Sequence, residues 1–163
     1  MAPRFPIDPG SPDTSMPAAS DDHLHELLLC CMNFARKRLE EAGDFYPHGA
    51  VLTSGGELED APAYPEGRRP KPHEVYDFLI GAFKAGAGEG RYLGVALVAN
   101  VNIPEQFEPA APDGIRVLVE TQGYARYVYV PYRMSTDDSP QGRKLQLFAP
   151  FSVQVPPEFY PAP

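Results

Sequence analysis

His48 lies in the stretch "DFYPHGAVLTSGGELE", two residues after Tyr46 and four after Asp44. An imidazole beside a carboxylate and a phenol has the groups a general base uses, and its ordinary pKa lies close to neutrality. The same residues also read without chemistry. Tyr46-Pro47 forces an extended approach, and Gly49 frees the backbone before a strand. His48 would then stand on a rim, with Phe45 and Tyr46 packed against the preceding helix. A working base needs a nucleophile to activate and a group to orient it. The stretch supplies neither, so the sequence assigns no catalytic residue.

Metal chemistry is weighed in the same way. His23, Glu26 and Cys30 follow at i, i+3 and i+7 and share one face of a helix. Zinc would need a further ligand from elsewhere. CxxC pairs, HExxH and EF-hand patterns are absent from the sequence, so this is read as a solvated helix face, and no metal or cofactor is expected. "GAGEG" (86–90) has alternating glycines, but it closes a helix and precedes a strand. A dinucleotide loop has the opposite order. Ser54 belongs to the hairpin turn "TSGGE" and not to a GxSxG elbow.

The tyrosines are the stronger signal. "GYARYVYVPYR" sets Tyr124, Arg126 and Tyr132 on one face of a strand and Tyr127, Tyr129 and Arg133 on the other. If one face contacts helices, the opposite face shows aromatic rings. Tyr and Arg are enriched where interfaces concentrate their energy, although Tyr also suits a pleated sheet by itself. The candidate partner or ligand surface is therefore Tyr46, His48, Tyr124, Arg126, Tyr127, Tyr129, Tyr132 and Arg133.

The elements that carry these residues follow from periodicity. Leu24, Leu27, Leu28, Cys31, Phe34, Ala35, Leu39 and Ala42 form a 3-4 stripe over 21–42, capped by Ser20 or Asp21 and stopped by Gly43. "GAVLT" and "ELEDA" are strands about a glycine turn. Pro72 opens a second helix with the stripe Val75, Phe78, Leu79, Ala82 and Phe83. Residues 91–103 form the longest strand. "IRVLVET" and "YARYVYVPY" form a hairpin about Gln122-Gly123, and "KLQLFA" and "FSVQV" follow. The order α-β-β-α-β-β-β-β with short links predicts an α+β fold: an antiparallel sheet of five to six strands with two helices packed on one face. Residues 1–19 read as a disordered or loosely draped Pro-rich leader, 20–156 as one domain and 157–163 as a tail.

The chain has 163 residues, a formal net charge of −8, 20 prolines and no tryptophan. One core of ordinary size is feasible at this length. The negative charge disfavours nucleic acid and anionic membranes as partners. Cys30 and Cys31 are adjacent and point about 100° apart on a helix, so they form no disulfide framework and suit a reducing compartment. The N-terminal stretch has no apolar signal-peptide core, and "YLGVALVA" is too short to span a bilayer. A cytoplasmic location is expected.

"EEAGDFYPHGAVLTSGGELE" and "IRVLVETQGYARYVYVPYR" together resemble a family of small uncharacterised bacterial proteins. In that family a helix leads into an Asp/Glu-Phe-Tyr-Pro-x-Gly-Ala hairpin, and a later hairpin ends in Pro-Tyr. The matching residues are 44–50 and 124–133, and His48 holds the variable position. The resemblance implies one small α+β domain and carries no activity.

The expected function is a non-enzymatic protein-interaction module. It would bind a protein partner, or a second copy of itself, through the open face or edge of the sheet. A toxin-neutralising or accessory role fits its size and acidity. The alternative is a small-molecule-binding protein or enzyme with a pocket between helices and sheet, built from Tyr46, His48 and Tyr127 or Tyr129. Polar groups converging in one cavity would favour the alternative, and a flat aromatic surface the first.

Overall fold

The computed structural model describes residues 19–62, 64–65, 70–136 and 143–161. The leader through residue 18 and residues 63, 66–69, 137–142 and 162–163 lie outside the described residues. Helix α1 spans Asp21–Ala42. Its N-terminus is closed reciprocally: Ser20 Oγ accepts the His23 N–H, and His23 Nδ1 accepts the Ser20 N–H, both at 3.1 Å. Gly43, at φ 76°, ends it and donates to the Leu39 carbonyl. Leu27, Cys31, Ala35 and Leu39 recur at every fourth residue and are fully buried.

The strands are β1 (His48–Thr53), β2 (Leu58–Asp60), β3 (Tyr92–Asn102), β4 (Asp113–Thr121), β5 (Tyr124–Thr136), β6 (Arg143–Leu147) and β7 (Phe151–Gln154), and α2 is Pro72–Gly88. All strand pairings are antiparallel. The sheet order is β2-β1-β3-β4-β5, with β6 and β7 both on the outer edge of β5. The α+β class and the order of elements are those the sequence predicts. The sheet has seven strands, where five to six were expected.

The expectation of two helices on one face is corrected. One core gathers Leu27, Cys31, Ala35 and Leu39 of α1 with Ala50, Leu52, Ala96, Val98, Ile115, Val117, Val119 and Val130. The other gathers Val75, Leu79 and Phe83 of α2 with Val51, Val95, Leu97, Leu118 and Phe159. Neighbouring strand residues thus belong to different cores, so the helices lie on opposite faces. The physical reason is written in β3: Val95, Ala96, Leu97, Val98 and Ala99 are apolar without interruption and all buried, the pattern of a strand covered on both sides.

Two irregularities shift the alternation. Leu52 pairs with Gly94 but Thr53 with Tyr92, so Leu93 is an extra residue in β3. On the outer edge of β5, Tyr132 faces Leu147 and Tyr129 faces Phe151. Residues 148–150 therefore stand opposite only 130 and 131. In effect β6 and β7 are one strand broken by a single surplus residue.

Within the stretch 157–163, expected as a tail, residues 158–160 are anchored. Glu120 is fully buried. Its carboxylate accepts the backbone N–H groups of Glu158 (3.0 Å), Phe159 (2.9 Å) and Tyr160 (2.8 Å). Tyr160 in turn donates its hydroxyl to the Tyr92 carbonyl at 2.8 Å. A buried carboxylate requires such donors, and here the backbone supplies them.

Candidate ligand cleft

The cleft arises where two strands stop out of step. β1 ends at His48, opposite Val98, and the chain before it, residues 44–47, leaves the sheet. β3 runs on to Asn102 and stays paired with β4 through Asn102 and Asp113. Residues 99–102 thus keep β4 on one side and lose β1 on the other. The gap is walled by the start of α2, by residues 44–47 and by the ends of β4 and β5. It forms a cleft of about 540 Å³ lined by Asp44, His73, Tyr76, Asn100, Asn102, Asp113, Arg116 and Tyr132 among others.

A chain of hydrogen bonds organises one wall. Asp44, released by the Gly43 stop, accepts the Phe45 N–H at 2.8 Å and the Asn100 Nδ2 at 2.7 Å, both on Oδ1. Asn100 Oδ1 accepts the Tyr132 hydroxyl at 2.7 Å. The two partners fix which way the amide of Asn100 points. Burial pushes the Tyr132 phenol up. The Asn100 bond opposes that, and the Asp113 and Asp44 charges add to it. Tyr132 therefore stays a neutral donor with two carboxylates near it.

The opposite wall carries a cation. Arg116 Nη2 donates to the Tyr76 hydroxyl at 3.1 Å. The guanidinium lies 4.4 Å from the Tyr127 ring centroid and 5.7 Å from that of Tyr76. Among the described residues no carboxylate pairs with it. Burial raises the Tyr76 phenol, while Arg116 lowers it. Pro72 at the first turn of α2, with Glu74 Oε1 accepting the Lys71 N–H at 2.7 Å, sets the helix start that presents His73 and Tyr76.

The residues singled out in the sequence fall in several places. Tyr132 lines the cleft, and Tyr127 backs it through Arg116. Tyr129 is only 4% exposed, held between Phe107 and Phe151 at centroid distances of 5.6 and 5.2 Å. Tyr124 and Arg126 are together on the α1 side, 5.7 Å apart, and Arg133 lies over Phe148 at 5.5 Å. His48 stacks on Phe34 of α1 with centroids 4.0 Å apart, and its Nε2 is 3.4 Å from Asp60 Oδ1. Asp44, weighed as its partner, is bonded to Asn100 instead. Tyr46 is 47% exposed and donates to the Pro70 carbonyl at 2.9 Å. Tyr46 and His48 line a second cavity, of about 350 Å³, whose other walls include Ala61, Pro62, Val75 and Leu79.

Asn100, Asn102, Asp113, Arg116, His73 and Tyr76 are cleft residues that the sequence reading passed over. One signal was present: Asn100 and Asn102 end an apolar strand, and Arg116 interrupts another. Of the helix-face candidates for metal, His23 is engaged in the α1 cap. Among the described residues no three His, Cys, Asp or Glu come together to hold a metal ion. Burial raises the thiols of Cys30 and Cys31, which disfavours the reactive thiolate. Among the described residues no helix is long and apolar enough to cross a membrane.

No protein-family model, curated protein or solved structure matches the chain. The likeness carried by residues 44–50 and 124–133 accordingly assigns it to no family.

Proposed function

We propose that the chain is a non-catalytic binding protein whose ligand occupies the cleft at the end of β3. One observation carries the reading. Acidic, amide, phenolic and guanidinium groups from α2, β3, β4, β5 and the chain before β1 converge on one space of about 540 Å³. Its cation, Arg116, is half-buried and pairs with no carboxylate among the described residues. A few placed polar groups in a concave site are what ligand recognition uses. The candidate tyrosines, by contrast, are divided between both faces of the sheet, and Tyr129 is buried. They make no single flat surface.

The reading is tested by ligand-observed NMR with a library of small polar compounds, on the parent protein and on Arg116→Gln and Asp44→Asn. Hits that both substitutions weaken support it. Hits indifferent to both remove it.

A second reading, a partner-protein surface, rests on Tyr127, Phe151 and Val153. These are partly exposed on the α2 side of β5 and β7. Phe151→Ala with Val153→Ala would abolish partner capture from a host lysate while sparing small-ligand binding.

A further inference from the structure

We propose that the cleft takes an extended peptide segment, added as a short strand to the edge of β3 at residues 99–102. This rests on the cleft being the binding site and names the chemistry that fills it. The argument begins with the hydrogen-bond alternation of β3. Gly49 accepts from Ala61, and Thr53 donates to Glu57. The odd residues of β1 therefore point to β2 and the even ones to β3. His48 pairs with Val98 and Ala50 with Ala96, so the even residues of β3 turn toward β1. The odd residues turn toward β4, as the Ile103 N–H to Pro112 carbonyl bond (2.8 Å) shows one residue past the strand.

Carried past Val98, this alternation leaves Asn100 and Asn102 with backbone N–H and C=O directed at the edge that β1 has vacated. Among the described residues no backbone group bonds them there. Both line the cleft. Two donors and two acceptors, spaced two residues apart, match the backbone of another strand and little else. Strand addition to an exposed sheet edge is an established mode of peptide recognition. Residues 99–102 span about 13 Å, room for a segment of similar length.

Charge then selects the segment. Side chains of an added strand alternate between the faces. On the α2 side they meet Ala99 and Val101, with Arg116 directly across Ala99 on β4. On the α1 side they meet Asn100 and Asn102, with Asp44, Asp113 and Tyr132 beyond. The ligand is a segment with acidic residues on one face and basic residues on the other. The segment runs antiparallel to β3, as β1 does, so the basic residues stand directly opposite Asn100 and Asn102 and their backbone nitrogens bond the edge.

The probe is Ac-Lys-Glu-Lys-Glu-Lys-NH2 titrated into isotopically labelled full-length protein, with amide shifts read by NMR. Saturable shifts at Asn100, Asn102 and Arg116 are expected. Methylating the backbone nitrogens of the lysines should weaken binding about tenfold or more, the scale of a lost hydrogen bond. Methylating those of the glutamates should change it little, and Ac-Lys-Lys-Lys-Glu-Glu-NH2 should bind more weakly. Asn102→Pro removes one edge donor and no ladder bond, a position where a strand tolerates proline. It should weaken binding to the same extent with the melting temperature kept. If that variant does not fold, the methylated pair decides.

Equal affinity for both methylated peptides, or for the out-of-phase peptide, overturns strand addition and leaves the cleft as a site. Saturable shifts confined to other residues overturn both readings. No shift at millimolar peptide overturns the peptide inference, while the compound library still tests the cleft.

Discussion

Asn100 joins two residues that are far apart in the chain, Asp44 and Tyr132, through opposite ends of one amide. Tyr132→Phe leaves its oxygen without the phenol donor at a half-buried place. The expected cost is about 1 kcal/mol, a fall of a few degrees in melting temperature. Asn100→Ala unties both partners and should cost more than Tyr132→Phe, and the double variant should cost no more than Asn100→Ala alone. Thermal melts of the three proteins check this. The phenols also set an alkaline limit. Tyr76, Tyr132 and Tyr160 are all raised above the ordinary value by burial first. A raised folded pKa means that ionisation is easier in the unfolded chain. Their contribution is therefore whole below the unfolded pKa of about 10 and lost as pH climbs through the folded values. Urea midpoints should hold steady to about pH 10 and then fall, together with a cooperative rise in tyrosinate absorbance. A gradual rise with no loss of stability would contradict it.

Among the elements, the central strands are the ones whose environment the sequence partly disclosed. The uninterrupted run of 95–99 signalled burial on both faces. The phase of the strand was not legible, because Leu93 and Val95 look in phase until the extra residue between the β1 pairings is known. Helix α1 was legible in full, from its Ser20 cap to its Gly43 stop, because capping and stripe are local signals. Its seat was not legible. Leu27 rests beside Gly94, where an added Cβ would stand 2.8 Å from Thr121 and 3.3 Å from Leu27. Gly94→Ala should destabilise by about 1–3 kcal/mol and is checked by denaturant unfolding. The anchored C-terminal segment was invisible for a different reason: Glu120 finds its donors 38 to 40 residues later, and nothing local marks them. Truncation after Pro157 and Glu120→Ala each remove one half of the same contact. Both should destabilise, and the double variant should be less damaged than the sum by about 1 kcal/mol or more. Strict additivity in chemical denaturation would show that the segment packs independently of Glu120.

For the whole molecule, the class and element order followed from periodicity and turn chemistry, whereas the cleft did not. It exists only because β1 and β3 end out of register, a relation between two stretches about 50 residues apart that no local pattern encodes. The tyrosines drew notice because they are large and clustered, yet a seven-stranded sheet with a helix on each face divides them between its two sides and buries Tyr129 and Tyr132. The broken outer strand adds a consequence of its own. Leu145 lies opposite Met134 on the α1 side, while Phe151 stacks on Tyr129 on the other. One surplus residue inverts the phase of the strand midway, as a half-wavelength delay inverts a wave. Deleting Ala149 removes that delay and sets residues 148 and 150 opposite 131 and 130, so Leu147 still faces Tyr132 and Phe151 still faces Tyr129. The ladder becomes regular and every side chain beyond the deletion keeps its face. The deletion variant should melt within a few degrees of the parent and keep Tyr129 protected from iodination. A variant that melts far lower, with Tyr129 opened, would mean that the surplus residue shapes more than the phase of the strand.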